Sequence, residues 1–182
     1  MGVSIAGHVA TGSAARRGRT GMVRRYVAAG ALVALLDISF AATYWVVFRG
    51  ATTLPRILQS IAAGLLGKAA FSGGSRTVIL GAVLHCVIAF GWTAVFFALA
   101  SRWGAFRRML LGPSGAFKVG MPFGALVWLG MNLVIIPLSH ARPTAIAATW
   151  FWVCLAWHAV GVGLPMALIW RAGGDDRATV SE

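Results

Sequence analysis

The chain has 182 residues, of which 59% are hydrophobic and only 11% charged, and its mean hydropathy is +0.81. A soluble domain carries about 25% charged residues, so a soluble globular fold is nearly excluded, and so is disorder, which requires low hydrophobicity. Sixteen Lys and Arg against four Asp and Glu give a net charge of +12. The cations lie between apolar runs and form no tract that could follow a phosphate backbone, so the charge does not argue for nucleic acid. Bilayer-spanning chains instead collect Arg and Lys on the cytoplasmic side.

In chain order, residues 1–25 read as a flexible basic cytoplasmic tail holding Arg16, Arg17, Arg19, Arg24 and Arg25. The first apolar run, 26–48, is longer than the 7–15 residues of a signal-peptide core, which predicts an uncleaved helix. Residues 54–66 predict a short helix with Pro55 in its first turn. Ile57, Leu58, Ile61 and Leu65 share one face of it, and Arg56, Gln59 and Ser60 fall elsewhere. The segment is too short to span, so it lies in the interface or re-enters the membrane. A turn-rich stretch, 67–75, follows. Three further apolar runs occupy 78–100, 119–138 and 149–170, and a polar tail closes the chain at 172–182. About 20 residues at 1.5 Å rise cross a ~30 Å hydrocarbon core. Backbone groups in lipid must be satisfied within the segment, which favours helices. No ten-residue alternation suggests a barrel. The predicted fold is all-α: a four-helix membrane bundle with one short amphipathic helix, in a single domain over 26–171.

Orientation follows from the cations. With a cytoplasmic N-terminus, that side holds five Arg in the tail, four cations in the middle loop (Arg102, Arg107, Arg108, Lys118) and Arg171 and Arg177, eleven in all. The opposite side holds five: Arg49, Arg56, Lys68, Arg76 and Arg142. The bias places both termini in the cytoplasm. Ala31-Leu-Val-Ala-Leu-Leu-Asp37 resembles Ala125-Leu-Val-Trp-Leu-Gly-Met131, as in a parallel two-span repeat. Cys86 and Cys154 both lie in apolar runs and form no disulfide framework or CxxC motif.

Polar residues at membrane depth carry the most information, because a charge at mid-bilayer costs roughly 3 kcal/mol and turns toward other helices. Asp37 is the one acid inside a span; His85, Asn132 and His158 join it, one polar group per helix. Counted inward from the outer boundary, all four lie at depths of roughly 9–16 Å. Small residues on the same faces (Ala34, Ala41, Gly81, Ala89, Gly161) allow close helix approach. Gly120 and Gly124 form a GxxxG, and Gly161-Val-Gly163-Leu-Pro165 permits a kink. Three readings of the polar layer compete. It is interhelical hydrogen-bonded glue; or a proton or ion site in which Asp37 pairs with a His, whose ring titrates near neutral pH; or a haem b or metal-ion site held by His85 and His158, to which Cys154 could add. Trp45, Trp103, Trp150, Trp152 and Trp170 sit near span ends, as aromatic belts do; Trp92, Trp128 and Trp157 read as packing residues.

Gly112-Pro-Ser-Gly115 with His158 and Gly161 resembles the Ser–His signatures of rhomboid intramembrane proteases. Ser114 and His158 fall at opposite ends of their spans, however, and rhomboids have six core helices. A broader resemblance covers roughly 77–172. Gly81-x-x-x-His85, the ending Val-Ile-Ile-Pro137-Leu-Ser and Trp157-His158 with a terminal Arg171 look like the YagU-like uncharacterised bacterial inner-membrane proteins. Those relatives often carry His in the third span and an acid early in the fourth; here Asn132 stands in the third and the fourth has no acid. The resemblance implies a fold and a location, not a reaction. No HExxH, His box, paired carboxylates or phosphate loop is present, so an enzyme is not expected. The expected partner is the lipid bilayer, not nucleic acid; a homo-oligomer or a membrane-protein partner is left open.

Overall fold

The computed structural model describes residues 5–141 and 148–173, and the side chains of 18–141 and 149–173. Helix α1 runs over Ile5–Ala42 and ends in a widened π-turn, Thr43–Phe48. It begins well before position 26, so from Ile5 the stretch expected as a flexible tail continues the helix. That stretch has no Pro, and its Ala and Arg are good helix formers. Helix α2 is Leu54–Leu66, as predicted, with Pro55 in its first turn and a 3₁₀ turn, Gly67–Ser72, behind it. Helix α3 is Gly74–Arg102 and α4 is Gly104–Leu111. Helix α5 is Ala116–Leu138 and α6 is Thr149–Arg171. No strand occurs among the described residues. Arg142, Arg177 and nearly all of the 172–182 tail lie outside them.

Four helices are long and apolar enough to cross a membrane: Gly18–Phe48, Gly74–Arg102, Ala116–Leu138 and Thr149–Arg171. Each contains the apolar run read from the sequence. Their outward surfaces are apolar: Leu35, Ile79, Val83, Val87, Leu126, Leu133 and Trp152 are all more than half exposed. A continuous apolar exterior is unfavourable in water and natural in lipid. The chain is built as a multi-pass membrane protein.

The core lies in the half of the bundle that holds the start of α1 and the end of α6. Ala29 and Val33 of α1, Phe96, Phe97 and Ala100 of α3, Val119, Phe123 and Val127 of α5, and Val162, Met166 and Trp170 of α6 pack together there. Leu110 of α4 joins them, fully buried. Arg171 donates to the carbonyls of Leu110 and Gly112 (2.9 Å to the latter), so the last cation of α6 caps the free carbonyls ending α4. Without a hydrophobic drive between helices in lipid, contact rests on close backbone approach. At α5–α6 that approach is extreme. A Cβ on Gly120, Gly124 or Gly163 would strike the facing backbone, including the carbonyls of Gly163, His158 and Gly120 respectively. The GxxxG of α5 is therefore seated on α6.

In the other half, α2 leans along the first turns of α3. Its buried residues are Gln59, Ala62 and Ala63. Of the predicted apolar stripe, Ile57, Leu58 and Ile61 are half-buried and Leu65 is 57% exposed. Gly81 of α3 accepts the α2 backbone at Leu58, with no room there even for a Cβ. Gln59 Nε2 donates to Thr77 Oγ1 (3.3 Å) and the Gly74 carbonyl (3.4 Å). Arg56 donates to the Phe71 carbonyl (3.1 Å) and lies 4.5 Å over its ring. The His140 amide donates to the Gly64 carbonyl (2.9 Å), tying the end of α5 to α2.

Candidate intramembrane proton site

Just outside the core, α1 and α6 bring two of the predicted polar residues together. His158 Nε2 lies 3.6 Å from Asp37 Oδ1, with 11% of the His side chain and 30% of the Asp side chain exposed. His158 Nδ1 lies 2.8 Å from the Cys154 carbonyl one turn earlier. A carbonyl oxygen only accepts, so Nδ1 carries a hydrogen. Nε2 then bears either a proton or a lone pair. A lone pair against an ionised carboxylate would be repulsive. A proton held between the two groups would turn the contact into an attraction. At 3.6 Å the contact is longer than a formed hydrogen bond.

The backbone places His158 at the first position of the π-turn His158–Gly163, directly before Leu164-Pro165. Proline has no N–H to give and crowds the preceding turn, and the widened turn absorbs both effects. Met131–Ile135, which contains Asn132, precedes Pro137 in the same way, and Ala116–Gly120 precedes Pro122. Such turns recur at functional sites. The signal in the sequence is the proline two residues past each of these three turns; the turn Thr43–Phe48 has none. It predicted a kink in α6, but a widened turn was not foreseen.

His85 docks one turn away on α1: its Nε2 donates to the Ala34 carbonyl at 2.9 Å. Asn132 turns onto its own helix, donating to the Trp128 carbonyl at 2.9 Å. Of the four predicted residues, then, Asp37 and His158 meet side chain to side chain, His85 meets the α1 backbone beside them, and Asn132 is satisfied within α5. The two histidines do not turn their Nε2 atoms toward one common ligand: Nε2 of His85 faces the Ala34 carbonyl and Nε2 of His158 faces Asp37. Among the described residues no three His, Cys, Asp or Glu side chains gather to hold a metal ion. Ser114 is exposed in the turn after α4, whereas His158 is buried and committed to Cys154 and Asp37, so no Ser–His dyad is formed.

Aromatic rings enclose the pair, a feature the sequence reading treated only as belts and packing. Trp128 lies 4.9 Å from the His158 ring. Phe40 stacks on Trp157 at 4.5 Å, and Tyr44 meets Trp150 at 4.3 Å, so rings zip α1 to α6 from Asp37 outward. The indole N–H groups of Trp128 and Trp157 are buried without a hydrogen-bond partner among the described residues. The chain matches no protein-family model, no curated protein and no solved structure.

Proposed function

We propose that this chain is a small multi-pass protein of a bacterial inner membrane, with both termini cytoplasmic, and that Asp37 and His158 exchange a proton within it. The observation that carries the reading is the pinned ring. Because the Cys154 carbonyl holds Nδ1–H, all proton traffic on His158 runs through Nε2, the atom that faces Asp37. Asp37 keeps 30% of its side chain exposed, so the carboxyl is not sealed inside the bundle. The resemblance to YagU-like proteins supports the location.

The test uses full-length protein in sealed vesicles with an internal pH dye. Wild type should pass protons down an imposed gradient, and its tryptophan fluorescence should follow pH, because Trp128 and Trp157 flank the pair. Asp37→Asn and His158→Gln should each abolish both signals. The other titratable groups facing the pair are Cys154 on α6, His85 on α3 and Tyr44 on α1. His85→Gln, Cys154→Ala and Tyr44→Phe should leave both signals in place. Unchanged proton passage in a folded Asp37→Asn protein sinks the proposal.

A further inference from the structure

Around α4, at the end of the bundle opposite α2, five exposed cations have no protein partner, and Arg19, farther out on α1, is exposed as well. Arg24 on α1, Arg102 at the end of α3, Arg107 and Arg108 on α4, and Lys118 on α5 are all exposed. None has a side-chain hydrogen bond or ion pair among the described residues. Their grouping at one end is fixed by contacts: Arg171 on the α4 carbonyls, Phe96 against Phe106 (5.5 Å), and the guanidinium of Arg25 beside Gly173. No carboxylate is available to them. Asp37 is the sole acid among the described residues, and it sits in mid-span against His158; Asp175, Asp176 and Glu182 lie outside.

Exposed apolar side chains are interleaved with these cations: Trp103, Met109, Leu111 and Phe117 are 46–58% exposed. Helix α4 buries Leu110 and packs Phe106 inward, leaving Arg107, Arg108, Met109 and Leu111 outside. It joins two membrane helices, so it lies at the bilayer boundary. Cations mixed with apolar groups at that level match neither a nucleic-acid groove nor an aqueous protein surface. They match the headgroup layer, where chains insert and phosphates carry charge.

We infer that this collar binds anionic phospholipid headgroups, and that α4 with its flanking residues is the contact. The inference stands on the membrane architecture alone and is independent of proton exchange at Asp37. Each cation near an anionic leaflet is worth about fivefold in lipid preference, screened by salt because all five are exposed.

The test reconstitutes full-length protein in vesicles of equal phosphatidylglycerol and phosphatidylcholine, extracts it in detergent, and measures the retained lipids. Wild type should retain phosphatidylglycerol over phosphatidylcholine by at least about fivefold at low salt, and the preference should fall as salt rises. The variant R102Q/R107Q/R108Q/K118Q should retain the two lipids almost equally. R49Q/K68Q/R76Q, at the other end, should keep the wild-type ratio. Millimolar inorganic phosphate should not displace the lipid. Equal retention by wild type, an unchanged ratio in the collar variant or an equal loss in the opposite-end variant would overturn the inference. So would displacement by phosphate, or tight binding to a soluble polyanion without lipid preference. If the collar variant does not fold, the wild-type salt series decides.

Discussion

At His158 one backbone carbonyl decides the chemistry of a whole ring. An imidazole in lipid can carry its single hydrogen on either nitrogen, and the two tautomers do opposite things beside a carboxylate. The Cys154 carbonyl, 2.8 Å from Nδ1, selects one of them. The bond costs little, because a residue four positions along a helix already lies over that carbonyl. Its consequence is that the lone pair or second proton always points at Asp37. Isotope-labelled histidine in the folded protein checks this directly. Nitrogen NMR should show His158 as Nδ1–H at every pH at which the fold persists, with the second proton arriving at Nε2 alone. An Nε2–H neutral tautomer would mean that the Cys154 contact is not the governing one. The unlike behaviour of His85, whose Nε2 bears the hydrogen against Ala34, provides an internal contrast in the same spectrum.

At the scale of helices, glycine and proline divide the labour. Prolines 122, 137 and 165 each follow a widened turn, and His158 opens the last of them. Glycines 120, 124 and 163 let α5 and α6 touch backbone to backbone. Gly124→Ala and Gly163→Ala should each destabilise the bundle by roughly 2–3 kcal/mol, because the atoms in the way are main chain and cannot rotate aside. Thermal unfolding in detergent measures it. Gly91, on the open surface of α3 with nothing within 4 Å, is the control: Gly91→Ala should be neutral or stabilising by up to about 1 kcal/mol. These elements show what was legible beforehand. The spans, α2 and the GxxxG could be read because length, periodicity and small-residue spacing are local properties. Asp37 and a histidine at matched depth were also readable; which histidine was not, since depth says nothing about the facing of two helices. Asn132 shared the depth yet bonds to Trp128 one turn back, an acceptor that every helix offers and no pattern reveals. How α2 docks was not legible either, because Gly81 admits a backbone rather than a side chain.

For the whole molecule, the ends differ in what neutralises their cations, and that difference sets orientation. At the α2 end, Arg56 is absorbed by the Phe71 carbonyl and ring, leaving Arg49, Lys68 and Arg76 as exposed charges. At the α4 end, Arg171 is likewise absorbed, but Arg24, Arg102, Arg107, Arg108 and Lys118 remain free. Retention of Arg and Lys in the cytoplasm counts charges close to the helix ends, and four of these five lie within the short α3–α5 connection or at its margins. The α4 end is therefore expected inside and α2 outside. Cysteine labelling tests this in a Cys86→Ala/Cys154→Ala background, which removes one exposed and one buried thiol while preserving the backbone carbonyl that His158 uses. A membrane-impermeant maleimide added to intact cells should label Lys68→Cys and spare Arg107→Cys until the membrane is opened. The reverse pattern would show that the basic outer connection governs insertion.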